Sequence, residues 1–225
     1  MGIKERLEEI KDRVEEAAKR SGREPDDVRI IAVTKTFPRE VVEEAISLGL
    51  KEFGENYVQE ALSKYQGLEG IKLHMIGHLQ RNKVKKALEI FHVIQTLDSI
   101  KLAREIEKRS KNTIPCLVQI NIGGEETKSG IDPKELFKFL EELNEMKNIQ
   151  VIGLMTIPPY TKDEKRLRNY FGEMRRLLEE ANKLGAYRNP LKELSMGMTE
   201  DFEIAIEEGA TMVRIGRGIF GDRLD

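Results

Sequence analysis

Eight short apolar runs, each followed by a charged segment with helical spacing or by the chain end, constrain the fold more than any other feature of this sequence. The central runs are apolar on both faces, as in parallel strands covered by helices, and parallel neighbours need a long crossover between them. The alternation predicts an α/β fold, a (β/α)8 TIM barrel, for which 225 residues are near the minimum length. The predicted strands are residues 28–35, 52–55, 73–78, 93–98, 114–122, 149–157, 193–197 and 212–220.

The segment before the first strand predicts one additional helix. Apolar residues recur there at spacings of three and four, which is typical of an amphipathic helix, over about residues 3–21. These residues are Ile3, Leu7, Ile10, Val14 and Ala17. Because no low-complexity linker or change of composition follows, we expect residues 1–225 to form a single barrel domain. A doubly wound open sheet is the alternative, disfavoured because no G-x-G-x-x-G turn follows the first strand.

Charge and cysteine content exclude several classes of partner. With 38 basic and 40 acidic residues the net charge is −2, so no excess positive field attracts nucleic acid or an anionic membrane. No apolar run approaches the length of a membrane span, and the charged N-terminus is unlike a signal peptide. Cys116 is the only cysteine, which excludes an intramolecular disulfide and a cysteine-rich zinc site. We expect a cytoplasmic protein without a bound metal.

Lys35 ends the first predicted strand, in the stretch "VRIIAVTKTFP", between Thr34 and Thr36. Active sites of (β/α)8 barrels lie at the C-terminal ends of the strands. Burial lowers the pKa of a lysine, and the neutral amine condenses with an aldehyde to give a Schiff base. For an isolated lysine, a head group that reaches solvent is the commoner case. The role of Lys35 therefore depends on the other strand ends.

The ends of the last two predicted strands carry a pattern typical of a phosphate site. Ser195, Gly197 and Thr199 form a predicted strand-to-helix turn, and Gly216 and Gly218 follow the eighth strand. Barrels often bind phosphate at these two loops through backbone N–H groups, and hydroxyls add donors. Each segment alone is a weak signal, because glycines and hydroxyls also form ordinary turns.

A lysine able to form a Schiff base, a phosphate site and Arg214 between them together indicate pyridoxal 5′-phosphate (PLP), which has an aldehyde at one end and a phosphate at the other. Nearly the whole chain resembles the pyridoxal phosphate homeostasis protein family, small single-barrel proteins related in fold to the N-terminal domain of alanine racemase. The motifs that carry the resemblance are "AVTKTFP" (32–38), "FGENYVQE" (53–60), "HMIGHLQRNK" (74–83), "QTLDS" (95–99), "EETKSGI" (125–131), "GLMTI" (153–157) and "LSMGMTEDFEIAIEEGATMVRIGRGIFG" (194–221).

The resemblance implies a role for each matching residue. PLP would be held as an internal aldimine on Lys35, and its pyridine nitrogen would face Arg214. A guanidinium stays protonated, so it would keep that nitrogen unprotonated and weaken the cofactor as an electron sink. The other implied contacts are Asn56 near the ring hydroxyl, and Ser195, Thr199, Gly216 and the backbone of Arg217 around the phosphate.

The function implied by the resemblance is storage, buffering or delivery of PLP without significant turnover, with PLP-dependent apoenzymes as partners. Racemisation in the fold relatives needs a second base, a tyrosine from a second domain that this chain lacks, and the same lack predicts a monomer. No catalytic residue is therefore assigned. A low-activity PLP-dependent amino-acid racemase or transaminase remains an alternative. A Schiff-base aldolase, in which Lys35 attacks a phosphorylated sugar, is less favoured.

Three other motifs are predicted to have no separate function. His74 and His78 would share one face of the third strand, but no further ligand completes a metal site. The basic run "QRNKVKK" contains no aromatic residue and is predicted to be a solvated helix face. The stretch "GGEETKSG" lacks the glycine that a Walker loop needs before its lysine, and it matches the "KSG" motif of the family.

Overall fold

Eight parallel strands form a closed barrel in chain order, with β8 beside β1, in a computed structural model that describes residues 1–125 and 127–222. The predicted (β/α)8 TIM barrel is therefore confirmed. The strands are β1 Arg29–Val33, β2 Glu52–Glu55, β3 Lys72–Met75, β4 Val93–Leu97, β5 Ile114–Gln119, β6 Ile149–Met155, β7 Glu193–Met198 and β8 Met212–Ile215. Residues 223–225 of the predicted domain, and Glu126 of the motif at 125–131, lie outside the described residues.

Helices join the strands on the outside of the barrel, as parallel neighbours require. The longest helix is preceded by its N-cap Asp163, whose side chain accepts the N–H of Arg166, and followed by Gly185, which has a left-handed φ of 62°. In the described part of the chain, no helix is long and apolar enough to cross a bilayer. The helices are α1 Ile3–Arg20, α2 Arg39–Ser47, α3 Val58–Tyr65, α4 Val84–Ala87, α5 Ile100–Arg109, α6 Leu136–Leu143, α7 Glu164–Leu184, α8 Phe202–Glu207 and α9 Arg217–Phe220, with short 3₁₀ turns at Pro25–Asp27, Arg81–Lys83 and Pro133–Glu135.

The main apolar core lies between the strands and the helices and includes Phe53 and Phe171, both fully buried. A second, smaller cluster comes from β4, β5 and β6 and consists of Val93, Leu117 and Met155. Successive residues of a strand point to opposite faces, so this second cluster belongs to the inside of the barrel. Other interior positions are polar, and they lead to the candidate site.

The additional N-terminal helix, α1, packs on α8 and α9. Its buried face includes Leu7, Ile10 and Val14, three of the residues whose spacing predicts the helix. On its outer edge Arg13 pairs with Glu203 of α8 at 2.8 Å. The helix therefore lies next to the turn that follows β8.

Several predicted strands extend beyond the observed ones. β3 ends at Met75, so the prediction that His74 and His78 share a strand face is wrong, and residues 217–220 form α9 instead of continuing β8. The reason is that apolar residues in the connecting loops are also buried: Ile76 and Leu79, which follow β3, are both in the core. Hydrophobicity alone therefore does not mark the point where a strand ends.

Candidate functional site

The junction of β1 and β8 brings the two ends of the predicted site together. The strands pair in parallel, with Ile31 opposite Arg214. Lys35 follows the end of β1 by two residues, and Gly216 follows β8 directly. A Cβ placed on Gly216 would lie 3.3 Å from the carbonyl oxygen of Val33, so the turn after β8 closely approaches the end of β1. Lys35 and the glycine turn are therefore neighbours at the C-terminal mouth of the barrel.

The segment that carries Lys35 has an unusual backbone. Lys35 is partly buried, Thr34 before it is fully buried, and Thr36 after it is exposed. Thr36 has a φ of 70°, the one positive φ outside glycine among the described residues. Left-handed backbone is rare for a β-branched residue and is usually held in place by its surroundings. The conformation next to Lys35 is thus imposed by tertiary contacts.

The guanidinium of Arg214 lies inside the barrel and is only 3% exposed. Its Nη1 donates to Ser195 Oγ at 2.7 Å, and its Nη2 donates to the carbonyl oxygen of Thr156 at 2.8 Å. Burial lowers the pKa of Arg214 to about 10, although the charge of Asp201 opposes this effect. Arg214 therefore stays protonated at neutral pH, with its plane fixed by two hydrogen bonds.

A chain of hydrogen bonds continues from Ser195 through the barrel interior. Ser195 Oγ donates to Gln95 Oε1 at 2.6 Å, and Gln95 Nε2 lies 2.9 Å from His74 Nδ1. His74 Nε2 lies 2.9 Å from Glu52 Oε2, so the tautomer with its proton on Nε2 satisfies both contacts. Burial lowers the pKa of His74, although the hydrogen bond to Glu52 acts in the opposite direction. The lowered pKa keeps the ring neutral. The chain reaches the base of the barrel, where Glu52 is the first residue of β2.

The predicted phosphate residues separate into two groups. Gly218 N–H donates to Thr199 Oγ1 at 3.3 Å, which brings the turns after β7 and β8 together. Arg217 extends its exposed side chain toward Glu200, at 3.4 Å, so only its backbone belongs to the turn. Ser195, in contrast, makes its hydrogen bonds to Gln95 and Arg214 in the interior.

Asn56 follows β2 directly and is partly buried. A Cβ on Gly77, which follows β3, would lie 2.3 Å from the carbonyl oxygen of Asn56. Only glycine allows this close approach of the two loops. Asn56 therefore lies at the same C-terminal mouth as Lys35, in a loop fixed by its neighbour.

Sequence reasoning did not identify Gln95, Glu55 and Lys64 as members of the site. Gln95 follows the apolar residues Val93 and Ile94 in β4 and is fully buried. Lys64 lies on the buried face of α3 with Val58, Ala61 and Tyr65, where a charged residue is unusual. A polar residue on an apolar strand or helix face is thus the signal that the sequence contained. His74 belongs to the interior chain, whereas His78 is exposed and lies 3.6 Å from Asp98.

Comparisons with known proteins find similar sequences and similar folds. The family model of the alanine racemase N-terminal domain matches residues 6–224. The pyridoxal phosphate homeostasis protein of Aquifex aeolicus (strain VF5) is 45% identical over 228 residues, which cover 99% of this chain and 99% of that protein. An unknown protein from Bifidobacterium adolescentis has a crystal structure with a TM-score of 0.92 and 35% identity, covering 97% of this chain and 94% of that chain.

PipY of Synechococcus elongatus PCC7942, solved with PLP bound, has a TM-score of 0.83 and 33% identity, and the match covers 97% of this chain and 100% of that chain. Sequence and structure are thus similar over nearly the full length of this chain. The chain therefore belongs to the pyridoxal phosphate homeostasis protein family and contains the alanine racemase N-terminal domain.

Proposed function

We propose that this protein binds PLP at the mouth of its barrel, with Lys35 as the point of covalent attachment, and serves in PLP homeostasis. The observation that carries the proposal is the meeting of Lys35, the buried Arg214 guanidinium and the Gly216 turn at the junction of β1 and β8. Relatives that cover the whole chain are named pyridoxal phosphate homeostasis proteins, and PipY holds PLP in its structure.

The donor set fits the two ends of PLP. A primary amine at the end of β1 suits an aldehyde. The turn after β8 offers the backbone N–H groups of Gly216 and Arg217, because the first N–H groups of a helix have no partner within it. Thr199 Oγ1 accepts the N–H of Gly218, which leaves its hydroxyl hydrogen to donate to an anion. We therefore assign the phosphate to Thr199, Gly216 and the backbone of Arg217.

PLP, when bound, supplies an aldehyde that reacts with amines and a pyridine ring that accepts electron density. Arg214, held by Ser195 and Thr156, would donate toward the ring nitrogen and oppose its protonation. Asn56 is assigned to the side of the ring hydroxyl. The contacts of Ser195 favour a role in orienting Arg214, and its direct contact with the phosphate stays a prediction.

The wider assignments follow from the same proposal. We propose that residues 1–225 act as one domain and one monomer, that the protein stores or delivers PLP to apoenzymes without significant turnover, and that it works in the cytoplasm. The location is supported by Cys116, the single cysteine, which is buried and has a raised pKa because of that burial.

Absorbance spectroscopy of the purified protein tests the proposal. The wild-type protein incubated with PLP should show a visible band, and Lys35→Ala should lose this band because no amine remains at the end of β1. Lys165→Ala, which removes an exposed lysine of α7, is the matched control and should keep it. A Lys35→Ala protein with an unchanged band would place the attachment on another lysine.

A further inference from the structure

The main chain on both sides of Lys35 is held by side chains of a different element, α3. Lys64 Nζ donates to the carbonyl oxygen of Thr34 at 2.7 Å. Glu60 Oε1 accepts the N–H of Thr36 at 2.6 Å, and it also lies 2.8 Å from Lys64 Nζ. The residue before Lys35 and the residue after it are therefore fixed by one ion pair.

A buried carboxylate at the end of β2 completes the group. Glu55 is 0% exposed and Lys64 is 5% exposed, and they pair at 2.8 Å. Thr34 Oγ1 donates to Glu55 Oε1 at 2.6 Å, and the hydroxyls of Thr34 and Tyr65 also form a hydrogen bond. We call Glu55, Glu60 and Lys64 the Lys35 clamp.

A buried ion pair is weak evidence for stability, because removing two charges from water costs more free energy than most pairs regain. The Lys35 clamp is therefore better explained by the position that it gives the main chain around Lys35 than by a contribution to stability. The same conclusion follows from Thr36, whose φ of 70° is rare for a β-branched residue. Such a conformation persists only where the surrounding contacts impose it, and Glu60 makes one of these contacts directly.

We propose that Glu55, Glu60 and Lys64 are positioning residues that hold the Thr34–Thr36 main chain so that the amine of Lys35 meets the cofactor aldehyde in one fixed orientation. The inference rests on the proposed function, in which Lys35 carries PLP. None of the three residues needs to touch the cofactor. Their effect is on orientation, because a small displacement of a reacting group slows its reaction strongly.

The Glu60 variants test the clamp with little risk to the fold, because Glu60 is partly exposed. Glu60→Ala removes the acceptor for the Thr36 amide, whereas Glu60→Gln keeps a side-chain oxygen that can accept it. After PLP is added to the cofactor-free protein, the visible band should develop about tenfold more slowly in Glu60→Ala and less than about threefold more slowly in Glu60→Gln. Glu105→Ala breaks a similar pair, with Arg109 on α5, and should match the wild type.

Lys64 needs a paired variant. Lys64→Met alone would leave Glu55 buried and unpaired, which destabilises proteins strongly. The double variant Lys64→Met with Glu55→Gln removes both charges at similar volume, and thermal unfolding checks its fold. A folded double variant should attach PLP as slowly as Glu60→Ala. A folded double variant with the wild-type attachment rate would overturn the inference, and if it does not fold, the Glu60 series decides.

A second measurement separates this inference from the proposed function. Hydrogen exchange of the Thr36 amide in the cofactor-free protein should be faster in Glu60→Ala than in wild type or Glu60→Gln, whatever the protein binds. If the wild type shows no visible band, or Lys35→Ala keeps it, the proposed function fails and the clamp loses its purpose. If both behave as expected but Glu60→Ala has wild-type exchange and attachment, the clamp alone is rejected.

Discussion

Thr199 connects two turns through one hydroxyl. Its oxygen accepts the N–H of Gly218 at 3.3 Å, so the hydroxyl hydrogen remains as a donor. A threonine in this position can therefore both fix the turn after β8 and bind an anion. Both roles depend on the same hydroxyl group, so a substitution that removes the hydroxyl should affect both.

Thr199→Ala should weaken the equilibrium binding of PLP by about 1.5 to 3 kcal/mol, the usual contribution of a hydrogen bond to a charged group. Thr199→Ser keeps the hydroxyl and should stay close to wild type. The measurement is a titration of cofactor-free protein with PLP, followed by its absorbance. Equal affinities for the Ala and Ser variants would move the phosphate away from Thr199.

Single residues differ in how far the sequence predicts them. The placement of Lys35 at a strand end, and of Thr199 and Gly216 in the last two loops, follows from strand order, because parallel strands bring their C-terminal ends to one side. The hydrogen-bond partners inside the barrel cannot be predicted from strand order. Ser195 binds Gln95 from 100 residues away. No local pattern records such a contact, and only the closure of the barrel creates it.

Among the helices and strands, α1 is the element whose position is least predictable from the sequence. The spacing of its apolar residues predicts a helix but not its partners, α8 and α9, which lie at the other end of the chain. Ile10 of α1 reaches the glycine turn: a Cβ on Gly218 would lie 3.1 Å from Ile10 Cδ1 and 2.9 Å from Ile215 Cγ2. The helix therefore packs directly against the proposed phosphate turn.

Gly218→Ala should destabilise the protein by about 1 to 3 kcal/mol, since the added methyl group overpacks a filled site. Gly172→Ala is the control. Gly172 lies within α7, where the nearest atom to a new Cβ is 3.4 Å away, and alanine should increase stability by about 0.5 to 1 kcal/mol. Denaturant unfolding of both variants gives the free energies. A neutral Gly218→Ala would mean that α1 yields easily at this turn.

For the molecule as a whole, exposed apolar and aromatic side chains lie in two of the loops at the barrel mouth. Tyr57 follows β2, while Ile157 and Tyr160 follow β6, and all three are exposed. Lys35 supplies an amine at β1. Racemisation needs a second proton donor on the opposite side of the cofactor. The two exposed tyrosines lie in loops that solvent reaches, so neither is held in a fixed position as such a donor would be.

We expect α-proton exchange of L-alanine in deuterated water to stay near the rate of free PLP, because the proposed contact of Arg214 would oppose protonation of the ring and one base cannot serve both faces. The α-proton signal and the enantiomer ratio measure this. Turnover of about 1 per second or faster would make the protein an enzyme. Tyr57→Phe and Tyr160→Phe would then identify the second base.

At this scale the sequence predicts the fold well, since eight alternations in 225 residues leave few architectures. Strand ends are less predictable. Ile76 and Leu79 are as buried as strand residues although they lie in a loop. Burial depends on what covers a residue: a Cβ on Gly54 of β2 would lie 2.8 Å from Ile76 Cδ1, and no local pattern records this contact.

The hydrogen bonds of the interior chain all run in one direction through the barrel. Every donor in it points the same way, from Arg214 to Ser195, Gln95, His74 and finally Glu52. The chain starts at a cation on β8 and ends at the base, at the carboxylate of Glu52, which also lies 3.5 Å from Arg29. The bond dipoles of the chain therefore add, with their positive ends directed toward the carboxylate of Glu52, so that each hydrogen bond polarises and strengthens the next along the path from β8 to the base.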